Sequence, residues 1–289
     1  MRSLPVYQVD AFTTEPFGGN PAGVVPDASG LDPATMQRIA REMALSETAF
    51  VFTPERGGDF RVRFFTPTDE VDLCGHATVG AFHLLAELGQ IGRPARMVQE
   101  TGAGLLPVEV DAGGVVMMDQ ALPQVRPFHQ LRELAGMLGT DAIFGEPAIV
   151  STGLYDLIVP IRDRASLWAI TPDFPRLADF CRTLGVTSVH AFTHDTIDPN
   201  HTVHCRDFSP AVGIPEESAT GTASGATGAY LAMKGLLPPA PHVHMTMEQG
   251  HVLGRPSLIH VVIDRENGVI TRVRVGGRAV TVLRGTLHF

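Results

Sequence analysis

The sequence predicts an α+β protein of two similar domains related by pseudo-twofold symmetry. Each domain is expected to be a curled, mostly antiparallel β-sheet or barrel around one central helix. Three observations lead there. The first is a repeat. Arg63-Phe64-Phe65-Thr66-Pro67 resembles Arg206-Asp207-Phe208-Ser209-Pro210, and after each an acidic segment leads into a small-residue helix start. Cys74-Gly75-His76-Ala77-Thr78 matches Thr220-Gly221-Thr222-Ala223-Ser224, and Glu100-Thr101-Gly102 matches Glu248-Gln249-Gly250. The offset stays near half of the 289 residues, which implies a duplicated domain and not a solenoid of short repeats. The second observation is the segment 75–89, apolar on nearly every side (Ala77, Val79, Ala81, Phe82, Leu84, Leu85, Leu88). Such a helix has to be enclosed. The third is that most of the remainder reads as short alternating strands separated by glycine turns. The expected domains are residues 1–122 and 123–289, with the last strand crossing back to the first. Ligand sites favour domain interfaces, so the two helix starts are expected to face one cleft.

Length and charge narrow the function. A chain of this size suits two domains that each bury a core. A net charge of −9 disfavours nucleic acid and anionic membrane as partners. Cys74, Cys181 and Cys205, with no CxxC, make no disulfide framework and fit a reducing cytoplasm. The first twelve residues lack the apolar core of a signal peptide, and no run of about 18 apolar residues offers a membrane span.

The elements follow in order. Residues 6–12 alternate as a strand. Residues 13–23 hold three glycines and two prolines, and Asn20 there either offers an amide to a ligand or caps the turn. Asp32-Pro33 open a helix to about Met43, with Asp as N-cap and Pro at the first position. Residues 44–52 switch from helix to strand. Glu47 stands at the start of that apolar strand, where a carboxylate is costly unless it has a partner or a task. The bland alternative is a strand-edge glutamate reaching water. A glutamate in an apolar cleft has a raised pKa, as a general acid or base near neutrality requires. Residues 60–65 form a strand and 66–72 an acidic loop. Strands 97–102, 105–111 and 114–120 follow, and Pro123-Gln124-Val125-Arg126-Pro127 reads as the inter-domain linker.

The second half repeats the plan. Helices are expected at 131–138 and 174–184, with strands at 148–150, 157–161, 189–194, 202–208, 243–248, 257–263, 271–276 and 279–287. His190, His194, His201, His204 and Cys205 match no structural zinc spacing and read as satisfied surface histidines of a hairpin, so no metal is expected. A helix begins near Thr220. Its Gly-, Ser- and Thr-rich start presents N–H and hydroxyl donors suited to a carboxylate or phosphate, unless the glycines merely allow close packing. Arg255 either pairs with an acid or anchors an anion.

The ordered set DAFTTEPFGGNPAGVV, ALSETAFV, FFTPTDEVDLCGHATVGAF, EESATGTASGA and GRPS resembles the PhzF-like family over nearly the whole chain. These are phenazine-biosynthesis-type isomerases that share the diaminopimelate-epimerase fold. The resemblance implies two αβ domains with the site between them. In the family's best-known member a glutamate of the SE(T/S) motif moves a proton along a dihydro-hydroxyanthranilate ring, without metal or cofactor. Glu47 matches that glutamate. Gly75 and His76 match the GH pair, Glu217 the acid of EDPATGSA, and Thr222 its serine. Three departures stand around the second helix start: Glu217 for Asp, Ser218 for Pro, and Thr222 for Ser. The resulting expectation is a cofactor-independent isomerase. It moves a proton on a small carboxylate-bearing metabolite, cyclic or amino-acid-like, with Glu47 as the acid–base group. Asn20, Gly75, His76, Glu217, Gly221 and Thr222 are expected to bind substrate, and the resemblance adds a homodimer. Two alternatives stand beside it. A Cys74-based epimerase or racemase is weakened because Thr220 occupies the second cysteine position. The other is a small-molecule-binding protein without turnover.

Overall fold

Eighteen strands and six α-helices make up most of residues 2–289, the residues described by the computed structural model. The chain divides into two units, Met1–Asp119 with Gly276–Phe289, and Gln120–Val275. The chain's last strand therefore belongs with its first. No helix among the described residues is long and apolar enough to cross a membrane.

The first unit runs β1 (Ser3–Ala11), β2 (Asn20–Val25), α1 (Pro33–Met43), β3 (Glu47–Phe52), β4 (Phe60–Phe65), β5 (Glu70–Val71), α2 (Gly75–Glu87), β6 (Ala95–Thr101), β7 (Gly104–Val110) and β8 (Val116–Gln120). The second runs β9 (Gln124–Pro127), α3 (Leu131–Leu138), β10 (Ala148–Ser151), β11 (Tyr155–Pro160), α4 (Arg164–Trp168), α5 (Phe174–Leu184), β12 (Ser188–Thr193), β13 (Val203–Ser209), β14 (Ile214–Glu217), α6 (Gly221–Met233), β15 (His242–Gln249), β16 (Ser257–Glu266) and β17 (Val269–Gly277). The chain closes with β18 (Ala279–His288).

In the first unit β18, β1 and β2 pair antiparallel in succession. The chain then crosses over through α1, so that β3 lies parallel to β2. Asp32 starts α1 by accepting from Thr35 N–H at 2.7 Å, and Pro33 costs nothing at a position whose N–H has no helical partner. Met36 and Ile39 of α1 bury against Phe50 and Phe65. β4 runs antiparallel to β3, and α2 is the second crossover, bringing β6 parallel to β4. β7 and β8 follow antiparallel. α2 packs on β1, β2, β3 and β18, which is why Ala77, Val79, Phe82 and Leu85 are all fully buried.

The second unit has the same wiring. β9, β10 and β11 pair antiparallel, and a helical crossover brings β12 parallel to β11. β13 is antiparallel to β12, and α6 carries the chain to β15, parallel to β13. β16 returns antiparallel. α6 packs on β10, β11, β12 and β16. Each unit is thus a curled sheet around one helix whose small residues let strands approach on several sides.

Matching arginines staple the matching strands. Arg63 holds Glu70 through two hydrogen bonds of 2.6 Å, and Arg206 holds Glu216 through two of 2.8 Å. The acidic segment after each arginine strand is therefore its ion-pair partner. It is also partly strand, β5 in one unit and β14 in the other, where a loop was expected. A second matching pair is Glu100 and Glu248, both buried. Glu100 accepts the backbone N–H groups of Glu55, Arg56 and Gly58, and Glu248 those of Ile197 and Asp198.

Two expectations are corrected. The segment 123–127 is no linker: β9 pairs with β10 from Gln124–Ser151 to Pro127–Ala148. Proline is compatible with that exposed edge because an edge strand has N–H groups facing water. The histidines of the β12–β13 region are not all superficial. His190 and His204 are fully buried, and each finds an acid distant in sequence: Asp207 at 2.9 Å and Glu248 at 2.7 Å. Trp168 Nε1–H donates to His204 Nε2 at 2.9 Å, so the His204 proton sits on Nδ1 and points to Glu248. Burial lowers the His204 pKa, with Glu248 pulling it back. The short helix α4, which carries Trp168, was not anticipated.

Candidate active site

The parallel pairing of β2 and β3 sets Glu47 beside Ala22 and two residues from Asn20 on the neighbouring strand. α2 begins near both. Its N-cap, Cys74, makes no side-chain capping bond, and the first turn leaves the N–H groups of residues 75–77 without helical partners. Thr78 closes that turn, its N–H and its hydroxyl both reaching Cys74 O, at 3.0 and 2.7 Å. Gly75 is not demanded by local packing. A side-chain carbon there would meet nothing nearer than Met118 Sδ at 3.9 Å.

His76 is the hub. Its Nδ1 lies 3.5 Å from Asn20 Nδ2 and 3.5 Å from Cys74 Sγ. Its Nε2 lies 3.2 Å from Ser46 Oγ and 3.2 Å from Glu47 Oε2. The last contact is out of line for a hydrogen bond. Glu47 Oε2 is buried and takes no donor elsewhere among the described residues, although the side chain as a whole keeps 15% of its surface exposed. Burial lowers the His76 pKa and the Glu47 carboxylate only partly restores it, so the imidazole is neutral at physiological pH. The assembly is a half-buried carboxylate, a neutral imidazole and a thiol around one helix N-terminus. Chemically it can take a proton, pass it, or bind an anion beside free N–H groups.

The other sequence-predicted residues gather at the start of α6. Thr220 is its N-cap, with its N–H on Gln249 Oε1 at 3.1 Å. Gln249 Nε2 returns to Thr220 Oγ1 at 3.1 Å and to the carbonyl of Glu217 at 2.9 Å. Gly221 is buried and Thr222 half-buried. The Gly221 carbonyl accepts Gln120 Nε2 at 3.2 Å, and Gln120 Oε1 accepts Thr152 Oγ1 at 2.7 Å. Gly250 explains the GRPS connection. It holds φ of +80°, and a side-chain carbon there would stand 2.3 Å from Arg255 O and 2.5 Å from Ser218 O. Only glycine lets the two segments close so tightly.

The structure thus brings Asn20, Glu47, Gly75 and His76 together in the first unit, and Glu217, Gly221 and Thr222 around one helix start in the second. Sequence reasoning did not single out Ser46, Gln120, Thr152 or Gln249. Gln249 was findable, because it sits inside the repeated Glu248-Gln249-Gly250. Gln120 and Thr152 carry no local signal.

Comparison with known proteins gives a consistent result. The family model "Phenazine biosynthesis-like protein" (PhzC-PhzF) matches residues 9–285. An "Uncharacterized isomerase" of Deinococcus radiodurans is 42% identical, over 96% of this chain and 92% of the relative. The trans-2,3-dihydro-3-hydroxyanthranilate isomerase of Pseudomonas fluorescens is 35% identical, over 96% of this chain and 97% of the relative. The crystal structure of a PhzF-family phenazine biosynthesis protein of Bacillus anthracis superposes with a TM-score of 0.92 at 32% identity, covering 100% of both chains. A hydroxyproline epimerase of Agrobacterium vitis superposes with a TM-score of 0.65 at 13% identity, over 99% of this chain and 91% of that one, a likeness of fold alone.

Proposed function

The chain belongs to the phenazine biosynthesis-like (PhzC-PhzF) family, and from that premise we propose that it is an isomerase that moves a proton on a small carboxylate-bearing metabolite, with Glu47 as acid and base and no cofactor. The observation that carries the reading is the state of Glu47. Its Oε2 is buried, lacks a hydrogen-bond donor among the described residues and lies 3.2 Å from a buried imidazole. A carboxylate with an uncommitted oxygen is ready to accept a proton from carbon and to return it at a second carbon. His76 and Asn20 hold the surroundings polar, and the N–H groups at the start of α2 suit a substrate carboxylate. The motif match extends substrate contact to Glu217, Gly221 and Thr222.

The named Pseudomonas relative makes trans-2,3-dihydro-3-hydroxyanthranilate the first compound to test. Ser218 and Thr222, which depart from the usual motif, give reason to test related cyclic and amino-acid carboxylates beside it. The assay is deuterium incorporation from heavy water into turned-over substrate. The wild type is expected to incorporate deuterium, and Glu47→Gln to slow incorporation by about 10²-fold or more, the usual loss for a general base. Full exchange in Glu47→Gln contradicts the reading. A second reading, a one-thiol epimerase, draws on Cys74 Sγ at 3.5 Å from His76 Nδ1. It lacks a second thiol, since Thr220 occupies the matching position. A Cys74→Ser change that abolishes exchange favours it.

A further inference from the structure

The side chains that gather at the start of α2 are also a ligand set. One atom each of Glu47, Cys74 and His76 lie within 4.8 Å of one another. His76 Nε2 is 3.2 Å from Glu47 Oε2 and 4.0 Å from Cys74 Sγ. A tetrahedral zinc ion with ordinary bond lengths puts nitrogen and oxygen ligands about 3.4 Å apart, and sulfur and nitrogen ligands about 3.6 Å apart. The two sides at His76 therefore fit such an ion after shifts of a few tenths of an ångström, and the third, between Glu47 and Cys74, is no longer than 4.8 Å. We propose that Glu47, Cys74 and His76 form a binding site for a thiophilic divalent cation, Zn²⁺ above all, with the fourth position left to water or a substrate carboxylate.

Chemistry supports this selection. Glu47 Oε2 is buried with no donor among the described residues, and a cation supplies a partner. The donor set of thiolate, imidazole and carboxylate selects zinc over magnesium or calcium, which require oxygen ligands. On binding, the Cys74 S–H bond breaks, its proton leaves to solvent and its electron pair forms the metal–sulfur bond. Two anionic ligands then balance a dication, so the bound site carries no net charge into a largely buried place. Ser46 Oγ, 3.2 Å from Nε2, would give up that contact when Nε2 took the ion. Binding stands on these three side chains alone. Its consequence for turnover rests on the function proposed above: the ion occupies the carboxylate that moves the proton, so zinc is expected to inhibit.

The test uses the whole protein without substrate and with Co²⁺ as the probe. Cobalt bound to a thiolate gives a sulfur-to-metal charge-transfer band in the near ultraviolet, which cobalt on surface histidines does not. The expected result is such a band saturating near one equivalent, displaced by Zn²⁺ and absent in Cys74→Ser. Glu47→Gln and His76→Gln are expected to weaken cobalt binding by about 10-fold or more. Cys181 and Cys205 are completely buried whereas Cys74 keeps 9% of its surface exposed, so slow alkylation of Cys74 in the wild type gives a second route to the same loss if the serine variant does not fold. Absence of the band in the wild type, or its survival after Cys74 is replaced or alkylated, overturns the proposal. Unchanged affinity in both Glu47→Gln and His76→Gln overturns it equally. The turnover reading survives any of these results, because deuterium incorporation reports on it separately.

Discussion

The two units share one wiring and differ in what each invests at matching points. Arg63–Glu70 and Arg206–Glu216 have the same two-pronged geometry. The first keeps 19% and 42% of its side chains exposed, the second only 7% and 10%. Arg206 also donates to the carbonyls of Leu167 and Ile170, at 3.0 and 2.8 Å. Glu100 holds a turn by backbone donors alone, whereas Glu248 adds His201 and His204, at 2.8 and 2.7 Å. The helix starts show the reverse. The start of α2 gathers Glu47, Cys74 and His76, while the start of α6 is closed by the neutral amides of Gln249 and Gln120. Both units use charged groups to hold strands and turns, and the first also gathers an acid, a thiol and an imidazole at its central helix start. Duplicated scaffolds can divide labour in this way because the wiring needs only the apolar pattern, which both halves retain.

The largest effect should come from breaking the buried pair. Glu216→Gln leaves Arg206 without its counter-ion and is expected to cost about 3–5 kcal/mol, whereas Glu70→Gln should cost under about 1 kcal/mol. Urea unfolding of both variants checks this, and equal losses would dissolve the contrast. Next in size is Glu248→Gln, expected to lose about 1.5–3 kcal/mol for hydrogen bonds to a charged group. Its pH dependence has a definite sign. Burial pushes the Glu248 carboxyl up, but the N–H groups of Asp198 and Ile197 and the two histidines outweigh it and bring the pKa from 4.5 down to about 2. The stability it adds is complete above 4.5 and disappears as the pH falls toward about 2. The difference between wild type and Glu248→Gln should therefore shrink across that window. A constant difference would contradict the assignment.

The central helices give the smallest pair. A side-chain carbon on Gly225 of α6 would stand 1.8 Å from Gln120 Oε1 and 2.9 Å from Val275 Cγ2. Gly225→Ala is expected to cost about 1–3 kcal/mol by overpacking. On Gly80 of α2 the nearest atom is Val9 Cβ at 3.4 Å, an ordinary contact. Gly80→Ala should be neutral or stabilising by up to about 1 kcal/mol, because alanine is the better helix former. Thermal unfolding of the two variants, compared with wild type, separates them.

The fold was largely legible in the sequence because its signals are local. The continuous apolar faces of α2 and α6, the Asp32-Pro33 helix start and the repeated Arg-strand and glutamate motifs all sit within short windows. What was not legible depends on partners far apart in sequence. His204 is buried because Glu248 and Trp168 meet it, and neither distance can be read from spacing. β9 hid behind two prolines that an exposed edge tolerates. At the candidate site, Glu47 was singled out through its motif and its odd place in an apolar strand. Its approach to His76 depends on how α2 packs against β2 and β3, which sequence alone does not set.

The central claim is that the proton passes through the start of α2 and that the start of α6 only binds. The most direct measurement is the split between kcat and KM for deuterium incorporation in Glu47→Gln, Cys74→Ser and Thr222→Val, on one substrate that the wild type turns over. The account predicts that Glu47→Gln lowers kcat by about 10²-fold or more and that Cys74→Ser leaves kcat nearly unchanged. Thr222→Val should leave kcat unchanged and weaken binding by about 1–3 kcal/mol, seen in KM. A normal kcat in Glu47→Gln, or a collapse of kcat in Thr222→Val with Glu47→Gln active, would contradict it.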